Sequence, residues 1–413
     1  MSEADAIYQE LMRFSGPHTD LGKVSKTLTG HDIYGSYHLE GFTKTNALRN
    51  TQVRFDEFLV PDSLEGKKVF DIGCCLGSLS FECARRKCSS VTGFEYCNER
   101  VNVCNKLAKH LNLNNIQFIQ SDINEKSKDV DSFIKNHGTA DIVFCCALDA
   151  YVDKERLYSF VSKISKDVCF FETNSGIDVD TFISIMKGHG FEQIVHLGTS
   201  KSDIGYGRRS YIMRKTREVI VNRIVNTQYD HVLSRFFNHI IIENIPFDNS
   251  KNQELVSQYN SYESEMIRLY KKISHIKYVA PTKFYYKACV RKFYENPLIT
   301  VDDDESRKKV REQIVDLVRQ MNKAGVAHRD MHINNFYFEK GEIVLCDFEF
   351  LCSDTADINN CYDLTGTGLE SPLGSNFTHV LIDDTHPNYE YSFNRYLSSG
   401  KAGDTLTLTL NDF

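Results

Sequence analysis

The chain has 413 residues, 41% of them hydrophobic, which is enough to bury two domain cores. Its formal charge of −7 argues against a general positive field that would wrap nucleic acid. The 13 cysteines stand singly or as neighbours (Cys74-Cys75, Cys145-Cys146) with no C-x-x-C pair, so they read as small core residues in a reducing compartment and not as a zinc or disulfide frame.

The segment Met1–Gly16 lacks the basic and apolar regions of a signal peptide and is expected to be a helical extension. No apolar run is long enough for a membrane span, so the expected location is cytoplasmic, at most peripheral to a membrane. The first strong pattern is Lys67-Lys68-Val69-Phe70-Asp71-Ile72-Gly73-Cys74-Cys75-Leu76-Gly77, an apolar run ending in an acid and then a turn framed by glycines. Ser90-Val91-Thr92-Gly93-Phe94-Glu95 repeats the run and its terminal acid. Glycines at a strand-to-helix turn let backbone approach a ligand, and an acid ending the next strand can hold a ribose diol. The pair predicts an adenosine-containing cofactor.

Further along, Asn115–Asp122, Ala140–Leu148 and Val168–Glu172 read as strands, with helical patterns at Leu79–Arg86, Arg100–Leu111, Glu155–Ile164 and Val179–His189. Strands alternating with helices predict an α/β fold, a doubly wound parallel sheet with its ligand at the carboxyl ends of the strands. Asp71, Glu95, Asp122 and Leu148 all fall at such ends. Gln193–Leu197 and Ser210–Met213 predict a terminal hairpin, and the basic run from Arg208 to Arg217 reads as its last strand and a linker. A boundary near Thr216 gives two expected domains, 1–215 and 216–413.

The turn resembles motif I of class I S-adenosylmethionine (SAM)-dependent methyltransferases, D-x-G-x-G-x-G, with Cys75 in place of the middle glycine. The resemblance covers roughly the first half of the chain and fits the strand order. It implies that Asp71, Gly73 and Gly77 surround the methionine moiety of SAM, that Glu95 holds the ribose, and that Asp122 and Ile123 meet the adenine, with Leu148 at the next strand end. Plainer readings stand beside these, Glu95 as a solvated strand-end acid and Asp122 as a helix N-cap. The methyl acceptor would meet Cys146-Ala147-Leu148-Asp149-Ala150-Tyr151, which is not the N-P-P-Y segment of amino-methylating DNA enzymes. Asp149 or Tyr151 could serve as a base or be a loop residue; an anionic acceptor would need no base.

In the second half, Val326-Ala327-His328-Arg329-Asp330-Met331-His332-Ile333-Asn334-Asn335-Phe336 precedes Ile343-Val344-Leu345-Cys346-Asp347-Phe348-Glu349. This resembles the H-R-D-x-x-x-x-N catalytic loop and D-F-G segment of protein kinases and related small-molecule and lipopolysaccharide kinases. It implies an α+β kinase-like domain in which Asp330 accepts a hydroxyl proton while Asn335 and Asp347 hold magnesium with ATP. Other parts are reduced. No glycine lies between Gly207 and Gly325, where a phosphate-covering loop would be. The expected third strand, Asn238–Asn244, has no lysine, and its best alignment puts Glu243 in the lysine's place with Arg235 as a substitute cation. The helix expected over Glu254–Ile273 offers Glu263 or Glu265 as partner; Ala288–Pro297 would be the hinge and Ser306–Ala324 the helix before the catalytic loop.

The domain order resembles the bifunctional kinase and methyltransferase family that ends bacterial O-antigen chains by phosphorylating a sugar and methylating the phosphate. Three functions follow as expectations. They are a bifunctional glycan-modifying enzyme, a methyltransferase with a degenerate kinase-like scaffold, and a nucleic-acid or protein methyltransferase, the last disfavoured by the charge. A small-molecule or glycan acceptor is expected as partner.

Overall fold

The computed structural model describes residues 2–14, 33–124, 130–174, 176–202, 207–224, 229–246, 264–301, 303–327, 335–348, 351–353, 392–394 and 407–409. The chain divides into two compact units, Met1–Glu218 and Val219–Phe413. Among the described residues no helix is long and apolar enough to cross a membrane.

The first unit opens with α1 (Glu3–Arg13), whose start is fixed by a capping box between Ser2 and Asp5. Four short strands follow, β1 (Ile33–Gly35), β2 (Tyr37–Leu39), β3 (Phe42–Lys44) and β4 (Ala47–Arg49), paired as β1 with β4 and β2 with β3. Asn50 then caps α2 (Thr51–Glu57) by accepting the Val53 N–H.

The main sheet is built from β5 (Lys68–Ile72), β6 (Ser90–Glu95), β7 (Ile116–Gln120), β8 (Ala140–Cys146), β9 (Ser165–Glu172), β10 (Gln193–Thr199) and β11 (Arg209–Arg214). Between them run α3 (Ser78–Arg85), α4 (Asn98–His110), α5 (Val130–His137), α6 (Lys154–Ile164) and α7 (Val179–Gly188). The strand order is β10-β11-β9-β8-β5-β6-β7. The five strands β5 to β9 run parallel, and β11 is antiparallel to both of its neighbours. The order reverses beside β5, so the crevice over β5 and β8 is the switch point where such sheets bind ligands.

Both sheet faces are covered, which is why the central strands are unbroken apolar runs rather than alternating ones. On one face Phe70, Cys145 and Phe171 pack with Leu157, Val161, Phe182 and Met186 of α6 and α7. On the other, Phe55 of α2 stacks on Phe144 at 5.4 Å and Phe58 meets Phe170 at 5.2 Å. Each such buried phenylalanine contributes roughly 1.5–3 kcal/mol.

The second unit has a sheet of β12 (Glu218–Ile224), β13 (Tyr229–Phe236), β14 (His239–Pro246), β15 (Thr282–Tyr285) and β16 (Ala288–Lys292), in the order β12-β13-β14-β16-β15. A helix at 264–273 (α8) packs on it through Tyr270, whose ring lies 5.0 Å from Phe284 and 5.0 Å from Phe348. Next come α9 (Asp304–Lys323), β17 (Val326–Ala327), the hairpin β18 (Phe336–Glu339) with β19 (Glu342–Leu345), and β20 (Cys352–Ser353). Gln313 of α9 holds the hairpin's turn and second strand, donating to the Gly341 carbonyl and accepting the Ile343 N–H. At the hairpin's open end the Cys346 N–H donates to the Asn335 carbonyl, which joins the segments carrying Asn335 and Asp347.

Candidate functional site

The turn after β5 is held by backbone bonds. The Gly73 and Cys74 N–H groups both donate to the Phe94 carbonyl, at 2.8 and 3.0 Å, and Gly77 N–H donates to Cys74. Gly73 and Gly77 both have φ of +71°. A Cβ on Gly73 would lie 2.5 Å from the Leu148 side chain, and one on Gly77 would lie 2.5 Å from the Phe118 ring. Both positions therefore require glycine for conformation and for space. Cys75, in the middle-glycine position, also takes a left-handed conformation, at φ +53°. Its side chain is tolerated there, and its N–H donates to Glu95 Oε2 at 2.9 Å.

Glu95 is buried, and its Oε1 accepts the Cys97 N–H at 3.1 Å with the Arg100 guanidinium at 3.5 Å. Each carboxylate oxygen keeps acceptor capacity beyond these bonds. Asp71 lies on the next strand, with Asp71 opposite Gly93 in register. Its Oδ2 accepts the Ser80 hydroxyl at 2.6 Å, and burial pushes its carboxyl up to about 6 against that hydrogen bond. A buried acid of this kind favours a cation beside it. The ammonium and sulfonium of SAM supply such a charge, so this donor set fits the methionine end of SAM.

Asp71, Gly73, Gly77, Glu95 and Leu148 are thus assembled around one turn. Asp122 and Ile123 sit one strand further on, linked to it by Ser121 N–H donating to the Glu95 carbonyl at 2.9 Å. Asp122 Oδ1 accepts the Asn124 N–H at 2.8 Å, forming its own turn. Both residues line a cavity of about 330 Å³ with Phe133, Phe160, His137 and Arg156, and Arg156 Nε donates to the Ile123 carbonyl.

Beyond β8 the chain turns at Ala147 (φ +59°), whose N–H donates to the Glu172 carbonyl. Asp149 is buried at 1% exposure, with Oδ1 accepting the Asn174 N–H at 2.5 Å and Oδ2 without a hydrogen-bond partner among the described residues. Sequence reasoning missed one feature at these strand ends. Glu172 is fully buried and receives both oxygens' bonds from Arg54 Nη2 at 3.1 Å, with Arg208 Nη1 at 3.4 Å. Arg54 comes from α2, 118 residues away in sequence, so no local pattern announces the pair.

In the second unit, Asp330 lies outside the described residues, as does Glu263. Asn335 is buried, and its carbonyl accepts the Cys346 N–H at 2.8 Å, which ties it to the segment carrying Asp347. Asp347 has φ +66°, in the left-handed region that aspartate enters more readily than most non-glycine residues. Asn335 and Asp347 could give a magnesium ion two oxygen ligands. Among the described residues, no group of three or more His, Cys, Asp or Glu is arranged to hold a metal.

The register of the second sheet puts Glu243 on the face away from Phe284 and Tyr270. Phe284, Cys289 and Ile242 align across the strands, so Ile240 and Ile242 share the face that carries Phe284 and Tyr270. Glu243 aligns with Ala288 and Val232 on the opposite face. Arg235 aligns with Ile240, donates to the Phe237 carbonyl and lies 4.5 Å over the Phe293 ring. Glu265 is paired with Arg268 on its own helix, at 2.6 Å.

No curated protein matches the chain. The solved structures similar to it include a Streptococcus mutans protein assigned as a SAM-dependent methyltransferase, at 17% identity over 40% of this chain and TM-score 0.33; the chain spans 48% of that protein's length. Magnesium protoporphyrin IX methyltransferase from Synechocystis with bound SAM is 18% identical over 40% of this chain and 78% of its own, at TM-score 0.33. WbdD bound to the kinase inhibitor LY294002 is 14% identical over 90% of this chain and 88% of its own, at TM-score 0.40. Family models are more direct. Residues 63–181 match a methyltransferase domain, and residues 295–353 match the lipopolysaccharide kinase (Kdo/WaaP) family. The first match contains the turn and all five parallel strand ends, and the second contains Asn335 and Asp347. The chain thus carries a match to a methyltransferase domain over residues 63–181 and a second match, to the lipopolysaccharide kinase (Kdo/WaaP) family, over residues 295–353.

Proposed function

We propose that this enzyme methylates a glycan or another small polar acceptor, and that its second domain binds or phosphorylates the same class of molecule. The observation that supports it best is the turn after β5, where buried Asp71 and the Cys75–Glu95 bond offer a cation site and a ribose site side by side. In this reading Asp71, Gly73, Gly77 and Leu148 hold the methionine end of SAM, Glu95 its ribose, and Asp122 and Ile123 its adenine. SAM supplies the methyl group; the protein aligns the acceptor oxygen with it, and alignment is the main source of acceleration in such transfers. The glycan preference rests on the lipopolysaccharide kinase match over residues 295–353.

For phosphotransfer, Asp330 would take the acceptor hydroxyl's proton, with Asn335 and Asp347 on magnesium and ATP. A second reading, in which this domain binds without catalysis, is favoured by the apolar positions Ile240 and Ile242 on the β14 face where a phosphate-pairing lysine would be expected. The domain division is proposed to serve these two tasks, residues 1–215 for methyl transfer and 216–413 for the kinase-like part.

One experiment tests the central claim. Titration of the full chain with SAM should give micromolar binding that Asp71→Ala and Glu95→Ala each weaken at least tenfold. Unchanged affinity in both variants would reject the cofactor site.

A further inference from the structure

Two buried polar atoms stand without hydrogen-bond partners among the described residues, at the carboxyl ends of adjacent central strands. One is Asp149 Oδ2, after β8, and the other is Thr173 Oγ1, after β9. The residues are 1% and 0% exposed. They belong to one local structure, because Asn174, next to Thr173, donates its N–H to Asp149 Oδ1 at 2.5 Å. Thr173 is itself anchored, with its N–H on the Arg209 carbonyl at 2.9 Å. The Thr173 backbone and one Asp149 carboxylate oxygen are bonded, while Thr173 Oγ1 and Asp149 Oδ2 are left over.

Leaving a buried carboxylate oxygen and a buried hydroxyl unpaired is costly, so such atoms are rarely kept without a task. Their position narrows the task. Leu148, the neighbour of Asp149, packs against Gly73 of the SAM turn, so the pair stands on the acceptor side of the methionine end. A carboxylate oxygen can only accept, whereas a threonine hydroxyl can donate. An alcohol satisfies both at once, giving its proton to the carboxylate and receiving the threonine hydrogen on its oxygen. A phosphate or carboxylate acceptor has no proton to give and would be repelled by Asp149.

We infer that the methyl acceptor is an alcohol hydroxyl, as on a sugar or polyol, held by Thr173 and deprotonated by Asp149. This rests on the proposed SAM-dependent methyl transfer and names its acceptor class. In the step, the acceptor O–H bond breaks and its proton goes to Asp149 Oδ2. The oxygen forms a bond to the methyl carbon while the C–S bond breaks, its electron pair staying on sulfur. The products are a methyl ether, S-adenosylhomocysteine and a protonated Asp149, which returns the proton to solvent.

The test uses the full chain, Asp149→Asn and Thr173→Val, with SAM carrying a tritiated methyl group. A mixture of methyl hexopyranosides and a parallel mixture of their phosphate esters serve as acceptor probes. Expected results are label in the glycosides, a loss of at least about 100-fold in kcat for Asp149→Asn, and about a tenfold rise in KM for Thr173→Val. Label only in the phosphate esters, or an Asp149→Asn rate equal to wild type, overturns the inference. A second readout needs no acceptor. Because Oδ2 has no partner to lose among the described residues, the Tm of Asp149→Asn should equal or exceed that of wild type, and this supports the assignment even where no glycoside is labelled. A fall of more than about 4 °C would mean that Oδ2 is bound inside the folded protein, and the inference fails. If SAM does not raise the Tm of the wild-type chain, it is the methyltransfer reading that fails instead.

Discussion

The Cys75 backbone N–H donates to Glu95 Oε2 across 2.9 Å, joining the motif turn to the end of the next strand. Cys75 achieves this at φ +53°, in a region where a Cβ is tolerated and a branched side chain is not. The departure from glycine at this position therefore leaves the turn intact. Cys75→Gly should bind SAM within about twofold of wild type. Cys75→Val should lose roughly 1–2 kcal/mol of stability and weaken SAM at least fivefold. Calorimetric titration with thermal unfolding of both variants checks this, and equal behaviour of the two would contradict it.

Asp71 sets a pH dependence that can be worked out in sign. Burial, opposed by the Ser80 hydrogen bond, raises its carboxyl from 3.8 to about 6 in the folded chain. Between those values the folded state holds a proton that the unfolded state has released. Stability therefore falls as pH rises from about 4 to 6 and stays lower above that window, by roughly 3 kcal/mol if Asp71 acts alone. Asp71→Asn should raise the Tm of the SAM-free protein at pH 7 and flatten this slope. SAM behaves oppositely, since its cation needs the ionised carboxylate. Its affinity should drop about tenfold per pH unit below 6 in wild type only.

Much of this site is legible in the sequence because its information is local. Asp71, Gly73, Gly77 and Glu95 lie within 25 positions of one another, and strand-end placement follows from period and turn residues alone. The predicted hairpin Gln193–Leu197 with Ser210–Met213 is found as β10 and β11, slightly longer at both. Helix α5 gave no usable pattern, being eight residues with none fully buried. Glu243 shows the limit most clearly. Strand alternation says that its face differs from that of Ile242, but only the register with Cys289 and Phe284 says which face meets Tyr270. Arg54 and Glu172 were out of reach for the complementary reason, because a contact over 118 residues leaves no periodic trace.

That pair carries its own prediction. Glu172 is fully buried, with two oxygens on Arg54 Nη2 and a further contact from Arg208. Removing one partner leaves the other charge buried, so Arg54→Met or Glu172→Leu alone should each cost about 3–5 kcal/mol. The double variant should recover part of the loss, because two apolar side chains need no partner. Denaturant unfolding of the four proteins closes the cycle. Additive single losses would show that the two residues do not act as a pair.

The kinase-like domain is decided at Asp347. Its φ of +66° and the bond that ties Cys346 to Asn335 hold two metal-capable side chains at the ends of one hairpin. With Ile240 and Ile242 on the Phe284 face of β14, no described residue of that strand offers the usual cation for the triphosphate there. Any nucleotide affinity must then lean on magnesium more than in an ordinary kinase. Titration of the SAM-saturated chain with ATP should show binding with magnesium and at least a tenfold loss in EDTA. Asp347→Ala should weaken binding to the same degree, while SAM affinity stays within twofold. Asp330→Ala should leave ATP binding intact and remove phosphotransfer, because its role is to take a proton and not to hold the metal. If ATP gives no heat under any condition while SAM still binds, the second domain is a binding module, and methyl transfer is the single chemistry of the chain.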